Sequence, residues 1–282
     1  MIQLALNQNS CKDLKLLDFL KYSKRFMGVE LDFKKIKKSI SSGKVNLNEI
    51  LETLEIYSLK LVSIFQLEDF SLSSDKHYKS VILNSLSHML NYSYKLESDL
   101  IIVQPSFLTI PSEISSDSIE IPKRRIINRT IKRLKDLSKR AYEQDINIGF
   151  EFLSLPNSSI ATLDEAKEVL KPLESQENVG YIIDTFTLAK TRADINELRE
   201  IKDFIFLIQL GDLLYNPNSK TEDLISIEDS NRVFPGRGNY EFTSFFELLQ
   251  KIRYDKPYSI ELSKNQSSEN LHTNFFKIFK NE

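Results

Sequence analysis

The sequence predicts an α/β fold, a single-domain (β/α)8 barrel of the TIM type spanning residues 1–282. Three observations carry that prediction. Short apolar runs alternate with amphipathic stretches along the whole chain, which is the pattern of a parallel sheet with crossover helices. Dividing 282 residues among eight such units leaves about 35 each, as a barrel of ~250 residues with insertions requires. The turn after the first apolar run, Asn7-Gln8-Asn9-Ser10, has none of the glycines that a doubly wound nucleotide-binding sheet carries there. No break in composition marks a second domain.

The elements follow in order. Residues 2–6 form a short strand, and 13–26 place Leu16, Leu17 and Leu20 at helical spacing. Residues 28–33 (GVELDF) are a second strand with a carboxylate, Glu30, inside it. Asn46 with Glu49 three residues on opens a helix in the manner of a capping box. Residues 59–67 are strand three, 75–96 a long helix, and 100–103 strand four, stopped by Pro105. A Ser- and Pro-rich loop at 106–121 leads to Pro122, suited to the first turn of a helix running to about Tyr142. Residues 147–153 (NIGFEFL) are strand five, and Thr162 with Glu165 again signals a helix start. Strands six, seven and eight fall at 179–186, 204–212 and 258–262. A long loop at about 211–241, a helix at 242–252 and a closing helix at 268–280 complete the expectation.

Bulk properties exclude several classes. A net charge of -2 supplies no basic field for nucleic acid. Cys11 is the single cysteine, so there is neither an internal disulfide framework nor a cysteine-built zinc site. The first residues lack a basic stretch followed by a long apolar core, and no apolar run approaches the ~18 residues of a membrane span. The expectation is a cytoplasmic protein without membrane or nucleic-acid partners.

Strands five to eight share one design: each is an apolar run ending in an oxygen-bearing side chain, Glu151, Asp184, Gln209 and Glu261 in turn. A carboxylate in an apolar strand is costly unless it is paired or holds a cation. The four positions lie 33, 25 and 52 residues apart, one βα unit each, the last lengthened by the 211–241 loop. In a barrel such strand ends converge on the catalytic face. Three acids brought together repel unless a cation sits among them, and oxygen donors favour a hard divalent ion such as Mn²⁺ or Mg²⁺. Other strand ends add Asn7 and Gln104 as candidate substrate-binding residues, with Thr187 just past strand six.

The segments GFEFLSLPNSS, NVGYIIDTF, IQLGD, RVFPGRGNYEF and YSIELS, in this order, resemble the xylose-isomerase-like TIM-barrel family. That family includes sugar and sugar-phosphate isomerases and epimerases, inosose and 3-dehydroshikimate dehydratases, and endonuclease IV. The resemblance is strongest over the C-terminal half. It implies one divalent metal ion (Mn, Mg, Co or Zn) held by Glu151, Asp184, Gln209 and Glu261, and Arg232 facing a carbohydrate or related ketone. It implies that Glu151 and Glu261 act as an acid/base pair in isomerisation or epimerisation through an enediolate. A lyase dehydrating a cyclic ketone and a non-catalytic sugar- or partner-binding barrel remain the alternatives, and a homodimer is compatible with the family. Two positions depart from the common pattern: Thr187 and Gln209 stand where many members have His. His77, His88 and His272 lie away from the predicted strand ends, which argues against an imidazole-rich trinuclear centre. Lys123, Arg124 and Arg125 crowd one helix start. They read as a solvated turn balanced by Asp117 and Glu120, with an anion site as the competing reading.

Overall fold

The computed structural model describes residues 3–108, 122–263 and 271–274. Eight parallel strands close into a barrel: β1 (Leu4–Asn7), β2 (Gly28–Asp32), β3 (Lys60–Leu67), β4 (Leu100–Val103), β5 (Asn147–Glu151), β6 (Val179–Asp184), β7 (Ile205–Leu210) and β10 (Tyr258–Ile260). Adjacent strands follow chain order, and β10 closes the ring between β7 and β1. Between β7 and β10, β8 (Asp212–Leu213) and β9 (Arg232–Val233) form a small antiparallel ribbon.

The strands are almost wholly buried, as a sheet covered by helices demands. Because side chains alternate, residues two apart share a face. Ala5, Val62, Phe65, Leu100, Ile102, Ile182 and Leu207 pack as one apolar plug, separate from the larger core between barrel and helices. Two residues further along their strands from Ala5, Ile102, Ile182 and Leu207 the chain places Asn7, Gln104, Asp184 and Gln209. An apolar floor therefore lies beneath a polar layer. Gly149 gives Ile182 the room to join that floor, since a Cβ there would collide with the isoleucine side chain.

The outer helices are α1 (Leu16–Tyr22), α2 (Phe33–Ser41), α3 (Leu47–Ile56), α4 (Asp75–His77), α5 (Leu83–Lys95), α6 (Lys123–Tyr142), α7 (Leu163–Leu170), α8 (Thr185–Thr191), α9 (Thr221–Ile225) and α10 (Phe242–Lys251). Residues 75–95 run on through one wide π-turn at Tyr78–Ile82. Asn46 and Glu49 form the anticipated reciprocal capping box on α3. At α7 the box is incomplete: Thr162 accepts from the Glu165 amide, but the Glu165 carboxylate takes the amide of Ala161 instead.

Two expectations need correction, and two segments cannot be compared. The helix anticipated from residue 13 starts at Leu16, because Asn7 caps a short 3₁₀ turn at Gln8–Cys11 that uses up the approach. The 211–241 stretch is ordered, with the β8–β9 ribbon and α9, and is tied together by a buried aspartate described below. Residues 109–121, with Asp117 and Glu120, and most of the closing segment at 268–280 lie outside the described residues. Among the described residues no helix is long and apolar enough to cross a membrane.

Candidate active site

β5 and β6 end in Glu151 and Asp184, and Glu261 follows β10 directly. The backbone fixes their level: Asp184 is paired with Gln209 across β6 and β7, and the Glu261 amide donates to the Leu210 carbonyl at 3.0 Å. One carboxylate oxygen from each of Glu151, Asp184 and Glu261 lies within 4.8 Å of the other two. All three side chains are buried. Desolvation and the charges of Glu261 and Asp184 push the Glu151 carboxyl well above the usual carboxylate range. Burial likewise raises Glu261 to about 7, with Arg232 pulling it down and Asp184 pushing it up.

Each acid has a distinct partner. Gln104 donates from Nε2 to Glu151 at 2.7 Å, and Asn9 from Nδ2 to Glu261 at 3.0 Å. Arg232 makes a fork-on-fork contact with Asp184, both N–H···O distances being 2.8 Å. The same guanidinium is 3.8 Å from Glu261 and 3.6 Å from Asp229, and stacks on the Phe186 ring at 4.4 Å. Burial works against the charge on Arg232, but Asp184, Glu261 and Asp229 outweigh it and hold the guanidinium firmly protonated.

Asp184 also accepts from the Phe186 amide, capping α8, and Thr187 Oγ1 donates to its other oxygen at 3.3 Å. Thr187, on the first turn of α8, lines the cavity that the three acids share with Asn9, Gln104, Lys190, Asp229 and Arg232. Asn7 is placed elsewhere. It is buried beneath the cavity, donating to Glu30 at 2.9 Å while its own Oδ1 takes the Asn9 amide at 2.8 Å. Asn9, two residues on, takes the cavity position that the sequence reading gave to Asn7. His77, His88 and His272 belong to none of the acid groupings able to hold a metal among the described residues.

Four participants escaped the sequence reading. Glu30 was visible as an acid inside an apolar strand, the same signal that marked Glu151, but was given no role. It is fully buried and accepts from Asn7, from Ser63 Oγ at 2.7 Å and from Gln209 Nε2 at 3.3 Å to each oxygen. Burial lifts its carboxyl above the ordinary range while these donors pull it back. Lys190 is buried on α8, donates to the Ile227 carbonyl at 2.7 Å, and is lowered to about 8 by desolvation. Asn9 and Asp229 come from a turn and a 3₁₀ segment with no distinguishing pattern. At the basic helix start Lys123 is 2.6 Å from Glu165 and donates to the Ser159 carbonyl, while Arg124 and Arg125 are exposed.

The donor set suits a divalent cation. Three buried carboxylates converge, and the carbonyl oxygen of the Gln209 side chain is buried with no hydrogen-bond partner among the described residues. An orphaned buried acceptor is costly, and a hard cation is one group that would satisfy it.

A model of the xylose isomerase-like TIM barrel family matches residues 25–275. An inosose isomerase of Bacillus velezensis is 22% identical over 225 residues, covering 77% of this chain and 72% of the relative. A crystal structure of the IolI protein with a bound zinc atom superposes with a TM-score of 0.81 at 19% identity, covering 99% of this chain and 96% of its own. The 3-keto-D-glucoside 4-epimerase of E. coli superposes with a TM-score of 0.75 at 13% identity, covering 99% and 100%.

Proposed function

This chain belongs to the xylose isomerase-like TIM barrel family, and on that footing we propose that it is an isomerase or epimerase of a polyhydroxy ketone or related sugar. The observation that carries the reading is the convergence of Glu151, Asp184 and Glu261, from three different strands, in one buried cavity. The names of its relatives support the substrate class: an inosose is a cyclic polyhydroxy ketone, and a 3-keto-glucoside is another.

Glu151, Asp184, Gln209 and Glu261 would hold one divalent metal ion. Such an ion, when bound, polarises a carbonyl and acidifies the adjacent C–H. The remaining work falls to side chains of this chain. One of the two glutamates takes the proton from the carbon beside the carbonyl, and the other returns a proton to the resulting enediolate. Because β6 and β7 separate β5 from β10 in the ring, the two carboxylates approach the cavity from different directions, as transfer to either face of a planar intermediate needs. Gln104 and Asn9 hold these carboxylates in place through their hydrogen bonds. Arg232 holds Asp184 in orientation through its two-point contact, and Thr187 and Lys190 supply donors at the cavity wall.

The test is solvent-proton exchange. Protein loaded with Mn²⁺ is incubated with inososes and ketoses in D₂O and the products read by NMR. Deuterium should enter at the carbon adjacent to the carbonyl, and Glu261→Gln should abolish its entry. An enone absorbance would instead assign dehydration. Thermal stabilisation by the same compounds without exchange or turnover would make the barrel a binding protein.

A further inference from the structure

We propose that Glu30 is a positioning residue that sets which end of the Gln209 amide faces the acid cluster. The inference rests on the metal reading of the site and assigns a role to a residue outside the candidate ligand set.

The argument is one of donors and acceptors. Asn7 cannot turn its amide around: its Oδ1 is held by the Asn9 backbone amide at 2.8 Å, so its Nδ2 must donate to Glu30. Ser63 donates to the other Glu30 oxygen at 2.7 Å. With both oxygens already accepting, Glu30 presents acceptors to any third partner. It therefore takes the Nε2 end of Gln209, which lies 3.3 Å from each of its oxygens. The opposite orientation would set Oε1 against two carboxylate oxygens, losing both contacts and adding repulsion.

With Nε2 committed to Glu30, Oε1 is left as the free end. It is buried and without a partner among the described residues, on the residue paired with Asp184 in the β6–β7 register. The distinction matters chemically, since an amide oxygen can ligate a hard cation and an amide –NH₂ cannot. Outer partners that orient a ligand in this way typically change metal affinity by about 10–100-fold when removed.

The experiment compares Mn²⁺ binding by calorimetry in the wild type, Glu30→Gln, Glu30→Asp, Gln209→Ala and the Glu30→Gln/Gln209→Ala double variant. Glu30→Gln keeps the shape but adds an –NH₂ that competes for Gln209 Oε1, so affinity should fall by about 10–100-fold. Glu30→Asp changes the shape but keeps an acceptor-only group, so it should lose less. In the Gln209→Ala background Glu30→Gln should cost nothing further.

A packing role predicts the reverse order, with Glu30→Asp the worse variant, and that result would overturn the proposal. So would an equal loss from Glu30→Gln with alanine at 209. A wild type that binds no metal would sink the metal reading of the site but leave the orientation measurable. In the wild-type protein treated with chelator, the Gln209 side-chain amide protons should show the NMR shift of donors to a carboxylate. Protons at free-amide positions would refute the assignment without recourse to any variant.

Discussion

Asp212 and Glu151 are both buried carboxylates at the same end of the barrel, yet their surroundings differ in kind. Asp212 accepts from four backbone amides, those of Leu213, Gly236, Gly238 and Tyr240, at 2.7–3.1 Å. Gly238 permits this, because a Cβ there would collide with the Asp212 carboxylate, and Gly236 supplies the positive φ of 79° that the turn requires. Among the described residues Glu151 has one donor, Gln104, and faces two other acids. Asp212 is solvated by its own loop, whereas Glu151 lacks compensation in proportion to its burial. A buried acid saturated with backbone donors is a structural tie. One left facing other acids is poised for something that arrives.

The contrast can be broken most sharply by removing each acid in turn. Glu151→Gln should lower turnover by about 10²–10⁴-fold, the range for a positioned proton-transfer group. In chelator-treated protein the same substitution should leave the melting temperature unchanged or raise it, because it relieves repulsion among the three acids. Arg232→Gln comes next. It strips Asp184 of its bidentate partner in a buried setting, which costs about 3–5 kcal/mol by denaturant unfolding. Asp212→Ala should cost about 2–4 kcal/mol, since it leaves backbone amides unsatisfied, and should free the β8–β9 ribbon for hydrogen exchange. If Asp212→Ala spared stability while Glu151→Gln reduced it, the assignments of the two acids would have to be exchanged.

A smaller effect sharpens the comparison through pH. In the folded chain Glu261 is held up at about 7, above the ordinary carboxylate value of 4.5. Below about pH 4.5 it is protonated whether folded or unfolded, so its full contribution to stability is present there. Between 4.5 and 7 the unfolded chain ionises more readily than the folded one, and stability falls as pH rises. The melting temperature of chelator-treated protein should decline across that window, and Glu261→Gln should remove part of the slope. Glu30, Glu151 and Asp212, also raised by burial, act in the same direction.

The barrel was legible because its signals are local and repeated: buried strands as apolar runs, and helix starts such as Asn46 with Glu49. The acids at 151, 184 and 261 were legible because an ionisable residue inside an apolar strand is costly without a reason. Glu30 carried the same signal, but its significance lies in its partners Asn7, Ser63 and Gln209, which the closed ring alone brings together. Lys190, Asn9 and Asp229 carry no local signal, since polar residues in turns and on helices are ordinary there. The 211–241 segment looked irregular because its two-residue strands are too short for alternation to register, and the aspartate that organises it works through backbone amides. Arg232 was tied by resemblance to the substrate face. The structure places it on Asp184, a contact whose register depends on the β8–β9 ribbon.

The central claim is that Glu151, Asp184, Gln209 and Glu261 form a divalent metal centre. Metal content by mass spectrometry of the purified protein, beside its Glu151→Gln variant, tests it most directly. Near-stoichiometric Mn, Mg, Co or Zn in the wild type, lost in the variant, is the predicted result. A wild type that retains no metal after loading and gentle washing, or a variant that retains as much, would contradict it.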